Sequence, residues 1–276
     1  MSASDLLKKT LRAVKEYSIR PSRKMGQNFA VNPELIATMV AAAELGRGDV
    51  VLEIGAGIGN LTEAIAEVAK KVIAVEKDAV SARALRDLFA ERSNVEVLNE
   101  DILLMKLPCA SKIVSNLPYS ISTPITFKIL FEGDFERAVL TYQKEVAERL
   151  LAEPGGHEYS RLSVMSSLLA EVERVRDFPP ESFYPKPDVS STVVVMRRRT
   201  TQGIDWEFLN ETLKLLFSQR KRKLRRALET YSKIKKLNFV EVAGGFEENL
   251  LETRVFQISP HGFVTISSRL KALGCR

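Results

Sequence analysis

Short apolar runs alternate with longer amphipathic stretches through the first two hundred residues. The runs at 49–54, 71–75, 95–98, 112–115 and 137–142 are rich in Val, Ile and Leu, and their length and bounding polar residues predict buried strands. The stretches at 32–45, 60–70, 79–92 and 123–132, and the one that starts at Glu145, carry apolar residues at helical spacing. Asn32-Pro33-Glu34 supplies a capping amide with proline at the first helical position. This alternation predicts an α/β fold with a doubly wound, mostly parallel sheet. Two more strands, 170–178 and 190–197, flank a loop containing Pro179, Pro180, Pro185 and Pro187, and are expected to pair as an antiparallel edge. Beyond Gly203 the strand pattern stops. Asp205 is placed to cap one long helix from Trp206 to about Tyr231, with Leu209, Leu213, Leu216, Leu224 and Leu228 on its inner face. The expected organisation is a basic N-terminal arm over 1–30 carrying a helix near 4–17, a sheet domain over 31–201 and a small all-helical domain over 202–276.

Composition narrows the function classes. The 276 residues are 45% hydrophobic, enough for a proper core, and no apolar run approaches the ~20 residues that span a bilayer. Ser2 to Lys9 is polar and lacks a secretory apolar segment. The two cysteines, Cys109 and Cys275, have no metal-ligand spacing, and His157 and His261 stand beside glycines in expected loops. These features argue against a disulfide framework, a metal site or a Ser-His pair, and point to a cytoplasmic protein. The net charge of +6 is uneven: residues 197–236 hold 13 Lys/Arg against 4 Asp/Glu, a local +9, so the remainder is −3. Arg220, Lys221, Arg222, Lys223, Arg225 and Arg226 concentrate it. That footprint suits a phosphate-rich partner, and a solvated helix face is the plainer alternative. Lys8, Lys9, Arg12, Arg20, Arg23 and Lys24 form a second basic strip open to the same two readings.

Candidate chemistry gathers at strand ends, where ligands bind in open parallel sheets. Gly55-Ala56-Gly57-Ile58-Gly59 follows the first strand and offers three positions without a Cβ, where a ligand can approach the backbone closely. Glu76, at the end of the second strand, can hold both hydroxyls of a ribose; Asp101, after the third, can accept from an adenine amino group. Turn plus acid suggests an adenosine-containing cofactor. The spacing is GxGxG followed by Asn60 rather than the dinucleotide GxGxxG, which favours S-adenosylmethionine. The fourth strand runs into Asn116-Leu117-Pro118-Tyr119. An amide, a turn-fixing proline and an aromatic ring are the parts needed to grip a flat base by its amine.

These segments resemble the small-subunit ribosomal RNA adenine dimethyltransferases. The likeness runs from about Lys24 to the C-terminus. It rests on Gly26-Gln27-Asn28-Phe29, Val51 to Thr62, Asp101-Ile102-Leu103, Asn116 to Tyr119, Phe183 to Ser190, and Phe217 to Leu228. Ala30 and Glu100 depart from the family pattern, where Leu and Gly are usual. The resemblance implies a Rossmann-like class I methyltransferase sheet and dimethylation of two adjacent adenosines near the 3′ end of that RNA. It also implies a pre-ribosomal small subunit as partner and a monomeric enzyme without metal. Its candidate S-adenosylmethionine set is Gln27, Asn28, Ala30, Glu53, Gly55, Gly57, Glu76, Lys77, Asp101, Ile102 and Asn116. Asn116, Leu117 (through its carbonyl), Pro118, Tyr119 and Phe183 would hold the target adenine. An adenine methyltransferase on another RNA, and a non-catalytic ribosome-assembly factor with the same fold, remain alternatives.

Overall fold

The computed structural model describes residues 2–21 and 26–274; Arg23, Lys24 and Cys275 lie outside the described residues. Along the chain come α1 (Ala3–Glu16), β1 (Phe29–Ala30), α2 (Pro33–Ala43), β2 (Val50–Ile54), α3 (Asn60–Ala66), β3 (Lys71–Val75), α4 (Ala79–Leu88) and β4 (Val95–Leu98). Then follow β5 (Lys112–Asn116), α5 (Ser122–Glu132), β6 (Arg137–Gln143), α6 (Lys144–Leu151), α7 (Arg161–Leu169), β7 (Ala170–Phe178), β8 (Phe183–Tyr184) and β9 (Ser191–Arg198). The remainder is helical: α8 (Trp206–Phe217), α9 (Leu224–Lys235), α10 (Phe239–Gly244), α11 (Glu248–Glu252) and α12 (Pro260–Ala272).

Seven strands form one sheet in the order β4-β3-β2-β5-β6-β9-β7. β4, β3, β2, β5 and β6 pair in parallel, and β9 runs antiparallel to β6. β7 and β9 pair at the edge, as their sequence pattern predicts. Four of the five residues of β2 and four of β5 are buried, the pattern of central strands covered on both faces. The chain winds from β2 outward to β3 and β4, then crosses back to β5 and β6. The winding direction therefore reverses between β2 and β5, and a crevice opens beyond their carboxyl ends. Helix starts follow their caps: Asn32 accepts from Glu34 N, Asp78 from Ser81 N and Asp205 from Phe208 N.

The chain divides into two compact units, Met1–Ala147 with Val172–Arg198, and Glu148–Glu171 with Arg199–Arg276. Two sequence expectations change. Residues 1–30 are not a separate arm: α1 packs within the first unit, burying Leu6 and Thr10, and Lys9 pairs with Glu63 of α3 at 2.6 Å. Residues 148–171, expected in the sheet domain, belong to the second unit. Their anchor there is Tyr159, whose hydroxyl donates to the Ile258 carbonyl at 2.9 Å and whose ring meets Phe217, which in turn packs on Phe263.

The long helix expected from Trp206 to Tyr231 is two helices. The chain turns over 218–223 because backbone groups there pair with 253–256: Leu224 N donates to Thr253 O, Val255 N to Arg222 O and Phe256 N to Arg220 O. All five predicted inner leucines are nonetheless fully buried, since the turn keeps both apolar faces on one core.

Candidate functional site

A cavity of about 510 Å³ lies in the first unit at the carboxyl ends of β2, β3 and β5. Each of the eleven residues expected to bind cofactor lines it: Gln27, Asn28, Ala30, Glu53, Gly55, Gly57, Glu76, Lys77, Asp101, Ile102 and Asn116. The space suits a ligand of nucleoside size.

The charged residues of the walls are acids apart from Lys77. Glu76 is 5% exposed, and its two oxygens accept from Gly57 N at 2.8 Å and Asp78 N at 2.7 Å. Burial raises its pKa, and those two N–H groups offset part of the rise. The carboxylate is thus fixed in the turn while keeping lone pairs for a ligand. Asp101 accepts from Leu103 N at 3.0 Å and pairs with Lys77 at 2.7 Å. The Lys77 ammonium, with that N–H, holds its carboxyl below the usual carboxylate range. Glu53 is 2% exposed and its Oε2 has no hydrogen-bond partner among the described residues. Burial pushes its pKa up to about 8; a hydroxyl from Thr62 relieves this in part, and the Glu76 charge adds to it.

The glycine turn serves a purpose the sequence does not reveal. Gly55 and Gly57 have φ of +70° and +60°, and a Cβ on them would stand 2.7 Å from the Pro118 ring and 2.8 Å from the Phe29 ring. The need for glycine at these two positions is thus met inside the protein. They let the β2 turn pack against the Asn116–Tyr119 turn and the β1 strand. Asn116 is held by the same wall: its Nδ2 donates to the Asn28 carbonyl at 2.7 Å. Its Oδ1 is buried and has no partner among the described residues. Asn28 in turn donates to the Gly26 carbonyl at 3.2 Å.

The adenine-holding set divides. Asn116 and Pro118 line the cavity; Leu117, Tyr119 and Phe183 do not. Phe183 is 3% exposed, and its ring packs in the core rather than standing open to a base. The cause is a two-stranded antiparallel ribbon in which Phe29 faces Tyr184 and Ala30 faces Phe183. Phe183 instead braces Tyr119 edge-on, with centroids 6.5 Å apart. The Tyr119 hydroxyl is tied to that of Ser191, and its burial pushes the phenol up to about 12. Asn60, Ser120 and Ile121 also line the cavity and were not among the expected residues. Asn60 was legible only as part of the glycine motif, and nothing in the sequence marks Ser120 or Ile121.

The basic segment of the second unit is largely occupied. Arg220 donates to the His157 and Tyr159 carbonyls at 2.8 and 3.1 Å and lies over the Phe256 ring. Lys223 pairs with Glu252, Arg225 with Glu248 and Glu252, and Arg226 with Glu229. Lys221 and Arg222 are exposed, and no side-chain partner is found for either among the described residues. The unbroken strip of six cations expected from the sequence is therefore two free cations beside four engaged ones. Among the described residues no group of three or more His, Cys, Asp or Glu is placed to hold a metal ion. No helix among them is long and apolar enough to cross a membrane.

A family model described as ribosomal RNA adenine dimethylase matches residues 20–252. The chain belongs to this family. A relative from Methanothermobacter thermautotrophicus, named a probable ribosomal RNA small subunit methyltransferase A, is 42% identical over 272 residues, covering 98% of each chain. A relative of the same name from Thermococcus kodakarensis is 41% identical, over 94% of this chain and 93% of its own. Among solved structures, a dimethyladenosine transferase from Plasmodium falciparum superposes with a TM-score of 0.76 at 27% identity, over 88% of this chain and 98% of its own. The 23S rRNA methyltransferase ErmE superposes with a TM-score of 0.65 at 28% identity, over 88% of this chain and 100% of its own. The mostly parallel seven-stranded sheet with a helical C-terminal region is the class I methyltransferase architecture shared with these two structures.

Proposed function

We propose that this chain dimethylates the exocyclic amine of two adjacent adenosines near the 3′ end of small-subunit ribosomal RNA, acting on a pre-ribosomal small subunit with S-adenosylmethionine as donor. The observation that carries this reading is Asn116. Its amide nitrogen is committed to the Asn28 carbonyl, so its oxygen is fixed in direction and buried at the cavity wall, with no partner among the described residues. A buried acceptor left open costs about 1–3 kcal/mol, which a ligand N–H would recover.

The residues present fit the donor. Glu76 and Asp101 are oriented acceptors for ribose hydroxyls and an adenine amine, and Glu53 adds a buried carboxyl whose Oε2 has no partner among the described residues. Four acids, Glu53, Glu76, Glu100 and Asp101, line the cavity against the single cation Lys77, and with Glu53 protonated the remaining three still suit a ligand bearing positive charge. When bound, S-adenosylmethionine supplies an electrophilic methyl group on a positive sulfur.

The chain's own contribution is to orient the acceptor amine. Its lone pair is delocalised into the purine ring, and a base is of little use before attack. Asn116 Oδ1 and the Leu117 carbonyl accept the two N–H hydrogens, which favours a pyramidal nitrogen and localises the lone pair. As the methyl group moves from sulfur to nitrogen and charge builds there, the same preoriented oxygens stabilise it; one N–H proton then passes to water, which leaves a single N–H to be held during the second transfer. Tyr119, locked by Ser191 and braced by Phe183, supplies a rigid ring beside Asn116 on which an unstacked base can lie, worth roughly 1–3 kcal/mol. Positioning provides the rest. Within the 220–226 segment, Lys221 and Arg222 have no side-chain partner among the described residues and are open to RNA phosphates.

The test is to incubate the protein with radiolabelled S-adenosylmethionine and small ribosomal subunits that lack the modification, with large subunits in parallel. Two labelled methyl groups on each of two adjacent adenosines of the small-subunit RNA are expected. Label confined to large-subunit RNA, or no label in adenosine, overturns the proposal.

A further inference from the structure

Asn60 is the first residue of α3, directly after the glycine turn, and its side chain is almost wholly buried. A polar residue at a helix start ordinarily caps the helix, but no side-chain cap is made here. Gly59 occupies the cap position in a left-handed conformation. Instead the Asn60 amide spends both its N–H hydrogens elsewhere: Nδ2 donates to Thr10 Oγ1 at 2.8 Å and to the Ala30 carbonyl at 2.8 Å. Thr10 is fully buried in the middle of α1, and Ala30 forms part of the cavity wall. One amide thus joins three segments that are remote in sequence: the N-terminal helix, the β1 wall and the turn that carries Gly55 and Gly57.

We propose that Asn60 is a positioning residue for the cofactor site, and that Thr10 of α1 holds it in place. Ala30 offers a ligand only its backbone and a methyl group, so its distance from the glycine turn has to be set by another group. The Asn60 amide bridges that gap on the side away from Phe183, while the β1–β8 pairing fixes the other side. Thr10 does not line the cavity, and it acts by accepting the second N–H so that the amide cannot rotate off Ala30. The Lys9–Glu63 pair, adjacent to Thr10 on α1 and within α3, keeps the two helices in register. The basic N-terminal helix is then a strut of the cofactor pocket as well as a charged surface.

This inference rests on the proposed use of the cavity for S-adenosylmethionine, and one experiment separates the two. Isothermal titration of the full chain with S-adenosylhomocysteine, which binds without turnover, is compared for the native sequence, Asn60→Asp and Thr10→Val. Asn60→Asp keeps the shape but turns an oxygen toward the Ala30 carbonyl; Thr10→Val removes only the distant acceptor. Asn60→Asp should weaken binding about tenfold or more, and Thr10→Val about threefold, equivalent to roughly 1.4 and 0.7 kcal/mol. The stoichiometry should remain one per chain. In steady-state assays KM for the methyl donor should rise in step, with KM for RNA and kcat at saturation little changed. Native-like affinity with a reduced stoichiometry would mean that Asn60 and Thr10 serve folding alone, and would overturn the inference. Unchanged affinity in a folded Asn60→Asp protein would also overturn it. Failure of the native sequence to bind at all would instead remove the cofactor reading on which it stands.

Discussion

Replacing Glu53 by Gln should change how stability responds to pH. Glu53 is 2% exposed, its Oε2 is unpartnered, and burial lifts its pKa from 4.5 to about 8. In the unfolded chain the carboxyl is ionised above about pH 4.5, whereas in the folded protein it keeps its proton until about pH 8. Between those values the folded state binds the extra proton, so folding stability falls as pH rises, by at most about 1.4 kcal/mol per pH unit. The full benefit is present below pH 4.5 and is lost by the time pH has risen through 8. Integrated from pH 5 to pH 8, the loss is on the order of 3 to 4 kcal/mol, a large fraction of the usual stability of a domain. Glu53→Gln keeps the shape and removes the titration. Urea unfolding at half-unit intervals from pH 5 to 9 should show the variant gaining on the native protein across this window and levelling off above pH 8. Glu76 is raised in the same direction but is present in both proteins, so its contribution largely cancels in the difference. Parallel stability curves for the two proteins would refute the claim that a proton sits on Glu53 in the folded protein.

Asn116→Ala should lower methyl transfer roughly a hundredfold or more, since it removes a preoriented acceptor at the reacting nitrogen, while S-adenosylhomocysteine affinity falls by less than tenfold. Turnover assays with titration will show it, and near-native turnover would remove Asn116 from the chemistry. Gly55→Ala forces a Cβ toward the Pro118 ring at a φ of +70°. It should destabilise the protein by about 1–3 kcal/mol in urea unfolding and weaken donor binding. Lys221→Glu with Arg222→Glu should lower RNA affinity and reduce the slope of log affinity against log salt by roughly two, whereas Arg226→Gln should leave the slope nearly unchanged because that side chain already pairs with Glu229. Equal slopes for all three proteins would take this segment out of the RNA interface.

Much of the pocket was legible because its polar residues sit where strand periodicity ends. Glu76, Asp101 and Asn116 each follow an apolar run, and in a parallel sheet those ends share one edge, so the pattern that defines the strands also collects the site. The features that were not legible depend on contacts between remote segments. Nothing in Gln219–Lys223 is a glycine or proline, and the leucine spacing continues across it, so only the pairing with 253–256 reveals the break between α8 and α9. Periodicity cannot tell whether Phe183 faces a base or the core; its β-ribbon partner Ala30 decides that. A count of Lys and Arg does not show that Arg220 is spent on backbone carbonyls or that Arg225 and Arg226 already have carboxylates. The glycine turn reads as an opening for a ligand, but the rings of Pro118 and Phe29 take up the space beside Gly55 and Gly57.

The two-residue pairing of β1 with β8 has a bearing on synthesis. Ala30, which lines the cavity, pairs with Phe183, more than 150 positions later in the chain. A nascent polypeptide emerging from the ribosome can therefore wind β2 to β5 and bring Glu76, Asp101 and Asn116 together, but the β1 wall gains its β8 partner only once Phe183 and Tyr184 have left the exit tunnel. That brace arrives late in translation. A chain released before that point would carry the whole glycine motif without it.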